Sequence, residues 1–237
     1  MTDHTVKAYD NELEALGRKI AEMGGIAEQM LSNAMDALAT LDTNLARTTV
    51  AMDQRLDILQ RDVEEQAILT IAKRQPLAAD LREIIAAIRI SGDLERVGDL
   101  AKNIAKRALK LSGETRLPRA IVGLKSMHEA AAMLLKDALD AYALRDVERA
   151  RMVWTHDVEL DALEDSVFRD LLTFMMEDPR NISFCAHLLF CSKNIERIGD
   201  HSTNIAETVV YLVTGETLPM DRPKGPSPAT DYLPLPK

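Results

Sequence analysis

Apolar residues recur three and four positions apart along nearly all of this chain. On a wheel of about 100° per residue, Ile90, Leu94, Val97, Ala101, Ile104 and Ala108 fall in one stripe, as in a helix that buries one face. Breakers divide the pattern into six such runs. The first extends from about Thr5 to near Leu41, and the second from about Thr43 to Arg74, where Pro76 stops it. A third opens after Pro76, which a first turn tolerates, and closes at Gly113, a suitable C′ residue. Pro118 opens a fourth that ends near Arg145, and Asp146 caps a fifth running to about Glu177. Asp178 and Pro179 read as the N-cap and first residue of a sixth, which ends at Gly215. Runs of about thirty residues are roughly 45 Å long. Joined by short turns, they predict two three-helix antiparallel bundles. Gly24-Gly25 interrupts the first run and predicts a kink or a close helix contact. Past Gly215, "ETLPMDRPKGPSPATDYLPLPK" holds six of the nine prolines and predicts a flexible tail.

The two sets of three helices are copies. The segment starting at Asn33 matches the one starting at Asp137 at an offset of 104 (137 − 33), pairing Asp42 with Asp146, Asp53 with Asp157, Leu56 with Leu160 and Asp57 with Asp161. Further on the offset is 101 (196 − 95): Glu95, Arg96, Gly98, Asp99 and Asn103 meet Glu196, Arg197, Gly199, Asp200 and Asn204. The predicted fold is all-α, two tandem pseudo-symmetric three-helix bundles made from six long helices by internal duplication. Its divisions are residues 1–115, residues 116–216 and a Pro-rich tail over 217–237.

Each half repeats the same acidic pattern. On the third helix Glu95 and Asp99 project away from the apolar stripe, with Ser91 before them and Asn103 after; Ser192, Glu196, Asp200 and Asn204 do likewise on the sixth. Asp53 and Asp57 flank the stripe of the second helix, as Asp157 and Asp161 flank that of the fifth. Acids four apart share a face and repel by a few tenths of a kcal/mol, so the fold gains nothing structural from them. Clustered carboxylates on rigid helices suit a hard cation such as Mg²⁺, Mn²⁺, Ca²⁺ or oxidised iron. Asn103 and Asn204 add neutral oxygen donors, and His201, beside Asp200, is a possible further ligand. Arg96 and Arg197 read as partners in surface ion pairs. Gly98 and Gly199, mid-helix, cost about 1 kcal/mol each against Ala and predict close approach by another backbone or by a bound cluster. Trp154 reads as core.

Composition narrows the function. The 237 residues carry a net charge of −9 and are 46% hydrophobic but only 4% aromatic, a helical rather than a sheet profile. An acidic chain without a Lys/Arg-rich patch argues against nucleic acid as partner, and an acidic surface repels free phosphate unless a metal mediates. No basic and apolar leader opens the sequence, and no apolar run reaches the eighteen or so residues of a membrane span. Cys185 and Cys191 lie about 120° apart on one helix, so they predict buried free thiols in a reducing compartment.

The segments "LERVGDLAKNIAKRA" and "NIERIGDHSTNIAE", each preceded by an Asp-x₃-Asp helix, resemble the PhoU family, accessory regulators of the phosphate-specific transport system. The resemblance runs from about Thr5 to Gly215. The family's motif of an acid, three residues and Asp is intact at Asp53/Asp57, Glu95/Asp99, Asp157/Asp161 and Glu196/Asp200. What the resemblance implies is that these acids hold a divalent or trivalent metal ion: iron, zinc, manganese or magnesium. It also implies a cytoplasmic, non-enzymatic protein that represses the phosphate-starvation response. Its partners would be the phosphate ABC transporter's ATP-binding subunit and the phosphate-sensing histidine kinase. A homodimer is the expected assembly, with contact to the membrane only through partners. Two rivals stand beside this reading. One is a carboxylate-bridged di-metal helical-bundle enzyme, which needs Glu-x-x-His on its helices, a motif absent from this chain. The other is a metal-free structural helical adaptor.

Overall fold

The structure, a computed structural model, describes residues 2–113 and 118–219. It contains six long helices: α1 (Thr2–Thr40), α2 (Thr43–Arg74), α3 (Ala78–Leu111), α4 (Pro118–Leu144), α5 (Val147–Glu177) and α6 (Ile182–Thr214). There is no strand among the described residues. The expected boundary between residues 115 and 116 lies outside the described residues, as does the tail from Met220 onward.

Helix ends follow from local chemistry. The Asp42 carboxylate accepts from the backbone N–H groups of Asn44 and Leu45 at 2.8 and 3.0 Å, and Asp146 accepts from that of Arg149 at 3.0 Å. Both satisfy donors that the first turn leaves unpaired. Gln75 and Gly215 close α2 and α6 in the left-handed region, with φ of 50° and 78°. The start of α6 differs from expectation. Asp178 accepts from Arg180 N, but Pro179–Asn181 form a single 3₁₀ turn before α6 begins at Ile182. Proline supplies no N–H, and the tighter turn satisfies the N–H of Asn181 with the carbonyl of Asp178 at 2.9 Å.

Apolar packing assembles α1–α3 and α4–α6 into two bundles, which α3 and α6 join along a shared seam, with α1 against α4 beside it. Contacts across the seam fix its direction. Arg107, late in α3, meets His187, early in α6, while Asp93 meets His201, so the two helices run antiparallel. Buried Ile20, Met30, Leu56, Ile104, Leu135, Leu160 and Ile205 belong to one continuous core.

The glycines receive side chains. A Cβ on Gly98 would lie 2.3 Å from Leu56 Cδ1, and one on Gly199 would lie 2.4 Å from Leu160 Cδ2. Neither a second backbone nor a bound cluster fills these notches: a leucine of the neighbouring helix does, in both halves. Gly24 likewise accommodates Leu139 of α4, whose methyls would lie 2.9 Å from an added Cβ, while Gly25 meets nothing. The glycine pair therefore marks a close contact, and α1 runs through it unbroken. Cys185 and Cys191 are free and buried. Trp154 is only half-buried, and its indole N–H donates to Glu207 Oε1 at 3.1 Å, linking α5 to α6.

Candidate functional site

The acids do not stand out from the surface as the wheel predicts. Asp53 and Asp157 are only 8% and 4% exposed, and the Glu95 and Glu196 side chains only 14% and 16%. Leu56 and Leu160, seated in their glycine notches, bring α2 close to α3 and α5 close to α6. A residue three positions before the leucine is then covered by the facing helix. Ser91 and Ser192 are fully buried, and their hydroxyls donate to the carbonyls of Ile88 and Leu189 on their own helices.

In the first half, Asp53, Asp57, Glu95 and Asp99 share the α2–α3 groove with a cation from the chain itself. Lys102 Nζ lies 2.5 Å from Asp53 Oδ2 and also bonds Asp99 Oδ1. Arg96 adds contacts of 3.4 Å to both Glu95 and Asp99. Burial, then Asp99, pushes the Glu95 carboxyl above the usual range; Arg96 opposes this, and Asp57 and Asp53 add to it. Burial disfavours the Lys102 ammonium, yet its bonds to Asp53 and Asp99 outweigh that and hold its pKa above the ordinary value. Asp53 Oδ1 is buried without a hydrogen-bond partner.

The second half keeps the acids but not the lysine. Thr203 stands at the position of Lys102, 101 residues on (203 − 102), with its hydroxyl 3.1 Å from the Gly199 carbonyl and 3.5 Å from Asp157 Oδ1. Lys193 reaches this cluster instead, 2.8 Å from Glu196 Oε1. Glu196 Oε2 is buried without a partner. Burial is the first cause that pushes the Glu196 carboxyl upward; the Lys193 bond opposes it and Asp200 and Asp161 reinforce it. Glu164 belongs here too. Burial, countered by Lys193 and reinforced by Glu196, Asp165 and Asp161, raises its pKa. Matching the two halves passes over Glu164, because the first has Gln60 there (164 − 104). Its place three residues after Asp161 on one helix face is the signal that finds it.

Among the described residues, no three Asp, Glu, His or Cys side chains converge closely enough to hold an ion as they stand. The two clusters nonetheless differ in how an ion would fit. In the first, Lys102 occupies the space between Asp53 and Asp99, and an ion there has to displace it. In the second, Lys193 engages only one oxygen of Glu196, and the other, with Glu164 and Asp161 beside it, belongs to a hard-oxygen donor set.

The three extra candidate ligands face elsewhere. His201 Nδ1 lies 2.9 Å from Asp93 Oδ1, and Asn204 Nδ2 donates to the same oxygen at 3.3 Å. Asn103 lies exposed along the seam beside Phe190 and Arg197 of α6. Asn103 and Asn204 each lie four residues past an acid, a step that turns about 40° beyond a full circle, and His201 lies one residue, about 100°, past Asp200, so these positions rotate out of the acidic groove and into the α3–α6 seam. The fold also assembles what the linear sequence lacks: Lys106, Arg107 and Lys110 of α3 stand beside Lys193 and Arg197 of α6 in one basic cleft.

Comparison with known proteins places this arrangement. The model of the PhoU domain matches residues 20–108 and again residues 124–209, one copy in each bundle. The chain belongs to the PhoU family. It is 53% identical over 222 residues to the phosphate-specific transport system accessory protein PhoU homolog of Rhizobium meliloti strain 1021, covering 93% of each chain. The corresponding Caulobacter vibrioides protein is 49% identical over 224 residues, covering 94% of this chain and 97% of its own. The crystal structure of PhoU from Pseudomonas aeruginosa superposes with a TM-score of 0.85 at 37% identity, covering 88% of this chain and all of that one. The PhoU-family relatives are named as transport accessory proteins, not as enzymes, and the di-metal enzyme reading is set aside. No helix among the described residues is long and apolar enough to cross a membrane.

Proposed function

We propose that this PhoU-family chain is a cytoplasmic accessory regulator of phosphate transport that restrains uptake and represses the phosphate-starvation response when phosphate is plentiful. It acts as an adaptor between the transporter's ATP-binding subunit and the phosphate-sensing histidine kinase, as a homodimer. The observation that carries this reading is the duplicated PhoU domain spanning both bundles, in a chain more than half identical to an accessory protein of that transport system. A metal ion belongs to this reading at the second cluster, where Asp157, Asp161, Glu164, Glu196 and Asp200 would hold it. Bound there, it would neutralise the carboxylates and set the charge of that face. In the first half Lys102 supplies that neutralisation.

The test is a reporter of phosphate starvation in cells whose own copy is deleted. At high phosphate the deletion derepresses the reporter and the full-length chain restores repression; continued derepression with the chain present overturns the reading. In parallel, elemental analysis of purified protein distinguishes the clusters. Metal lost on E164Q/E196Q, but kept on D53N/D99N, supports the second-half site, and equal metal in all three rejects it.

A further inference from the structure

The α3–α6 seam carries two clefts that the duplication makes equivalent. One, of about 400 Å³, is lined by Lys106, Arg107, Lys110, Lys193 and Arg197, with no acid among its walls. The other, of about 440 Å³, is lined by Arg89 and Arg96 but also by Asp93, Glu95 and Glu207. Shifted by 101, Lys106 becomes Glu207, Arg107 becomes Thr208 and Lys110 becomes Tyr211; in the opposite direction Lys193 becomes Gly92 and Asn194 becomes Asp93. One scaffold has thus been charged in two ways inside one molecule. The mixed cleft satisfies itself: His201 and Asn204 bond Asp93, and Trp154 bonds Glu207.

The basic cleft does not satisfy itself. Lys193 is shared with Glu196, but the other four cations have no carboxylate partner among the described residues. Arg107 is held in place, its Nη1 donating to His187 Nδ1 at 3.2 Å and its guanidinium lying 4.3 Å over the Phe190 ring. That fixes one cation before any ligand arrives. Like charges converging from two helix walls on a concave volume repel, and in a chain of net charge −9 no general excess of cations explains them. The site lacks a dense, compact negative charge. An acidic peptide spreads its carboxylates along an extended backbone at about 3.3 Å per residue, whereas a single phosphate group supplies only about −1.5 to −2. Linked phosphate groups concentrate three or more charges in this volume and present oxygens that Arg and Lys both recognise.

We propose that this cleft binds a small anion carrying two or more linked phosphate groups. The site adjoins the second acidic cluster through Lys193, which bonds Glu196, and does not depend on the regulatory reading above. The same phosphate chemistry could come from a free oligophosphate or from a nucleotide. The experiment is calorimetric titration of the full-length chain with tripolyphosphate, ATP and orthophosphate, at low and at physiological salt. Tripolyphosphate or ATP binds, with affinity falling as salt rises, and orthophosphate binds at least about tenfold more weakly. Equal affinity for the first two marks the phosphate chain as the occupant, and tighter ATP binding marks a nucleotide. K106E/K110Y, which installs the residues of the equivalent cleft at exposed positions, weakens binding by about tenfold or more; R197Q is a second, independent loss. R89A, in the mixed cleft, leaves binding unchanged. The proposal is overturned if neither polyanion binds at millimolar concentration, if K106E/K110Y and R197Q both bind as the parent does, or if R89A weakens binding equally.

Discussion

Lys102 of α3 holds its ammonium 2.5 Å from Asp53 of α2, at the place where the second half of the chain has Thr203. The same carboxylate pattern is thus bridged by Lys102 in one bundle and met by Lys193, through Glu196, in the other. Lys102→Met keeps the aliphatic stem but removes the cation between Asp53 and Asp99, leaving only the longer Arg96 contact to Asp99. The urea midpoint should fall by an amount equivalent to roughly 1–3 kcal/mol, the range for a lost charge-assisted bond. Millimolar Mn²⁺ should then raise the melting temperature of the variant more than that of the parent. Equal responses of the two proteins to Mn²⁺ would show that Lys102 does not stand where an ion can.

Gly98 and Gly199 should resist enlargement. Alanine improves helix propensity by about 1 kcal/mol, but its methyl collides with fully buried Leu56, and overpacking of this kind typically costs 1–3 kcal/mol. G98A should be less stable by about 1 kcal/mol in net terms. In a Leu56→Ala background the same change should cost less or become favourable. A double-mutant cycle measured by chemical denaturation reads the coupling, and additive effects would refute the contact.

His128 links stability to acid. Burial holds its pKa below the ordinary 6.5, against the opposing pull of Asp36 and Glu129, and its Nδ1 is buried without a partner. The folded protein therefore takes up this proton less readily than the unfolded chain does. The contribution is complete above about pH 6.5 and is lost as pH falls from there toward the depressed folded value. His128→Leu should flatten the fall in unfolding midpoint between pH 6.5 and 5, measured against the parent. An unchanged slope would assign that pH dependence to other groups.

The caps offer a matched pair. Asp42→Ala and Asp146→Ala each remove a side-chain acceptor from a first turn, and each should cost about 1 kcal/mol of stability. Replacement by Ser or Asn should restore most of it. A cost near zero in calorimetric melting would indicate that water satisfies those N–H groups equally well.

Element boundaries were legible because single residues enforce them. Pro76, Asp42, Asp146 and Gly215 act through backbone chemistry that needs no tertiary context, and α2 begins and ends where the pattern predicts. The list of acids was legible through the repeat, but their surroundings were not. A helical wheel puts Asp53 beside the apolar stripe, yet only the arrival of α3 decides that it is covered. Glu164 escaped because a search for symmetry discards whatever one half lacks. The basic cleft escaped for another reason: Lys106 and Lys193 are 87 residues apart (193 − 106), and composition averages their charge away. His201 stands beside Asp200 in sequence but bonds Asp93 across the seam, because neighbours along a helix point about 100° apart.

The leucine that enters each glycine notch acts as a key for registry. Leu56 lies one turn past Asp53 and directly before Asp57, so seating it sets how far α2 can slide along α3 and where those two acids stop. Leu160 does the same for Asp157 and Asp161. Carboxylate geometry is therefore inherited from a dry apolar contact and not organised by whatever cation arrives. A protein built this way can exchange or lose its counterion without rearranging its helices.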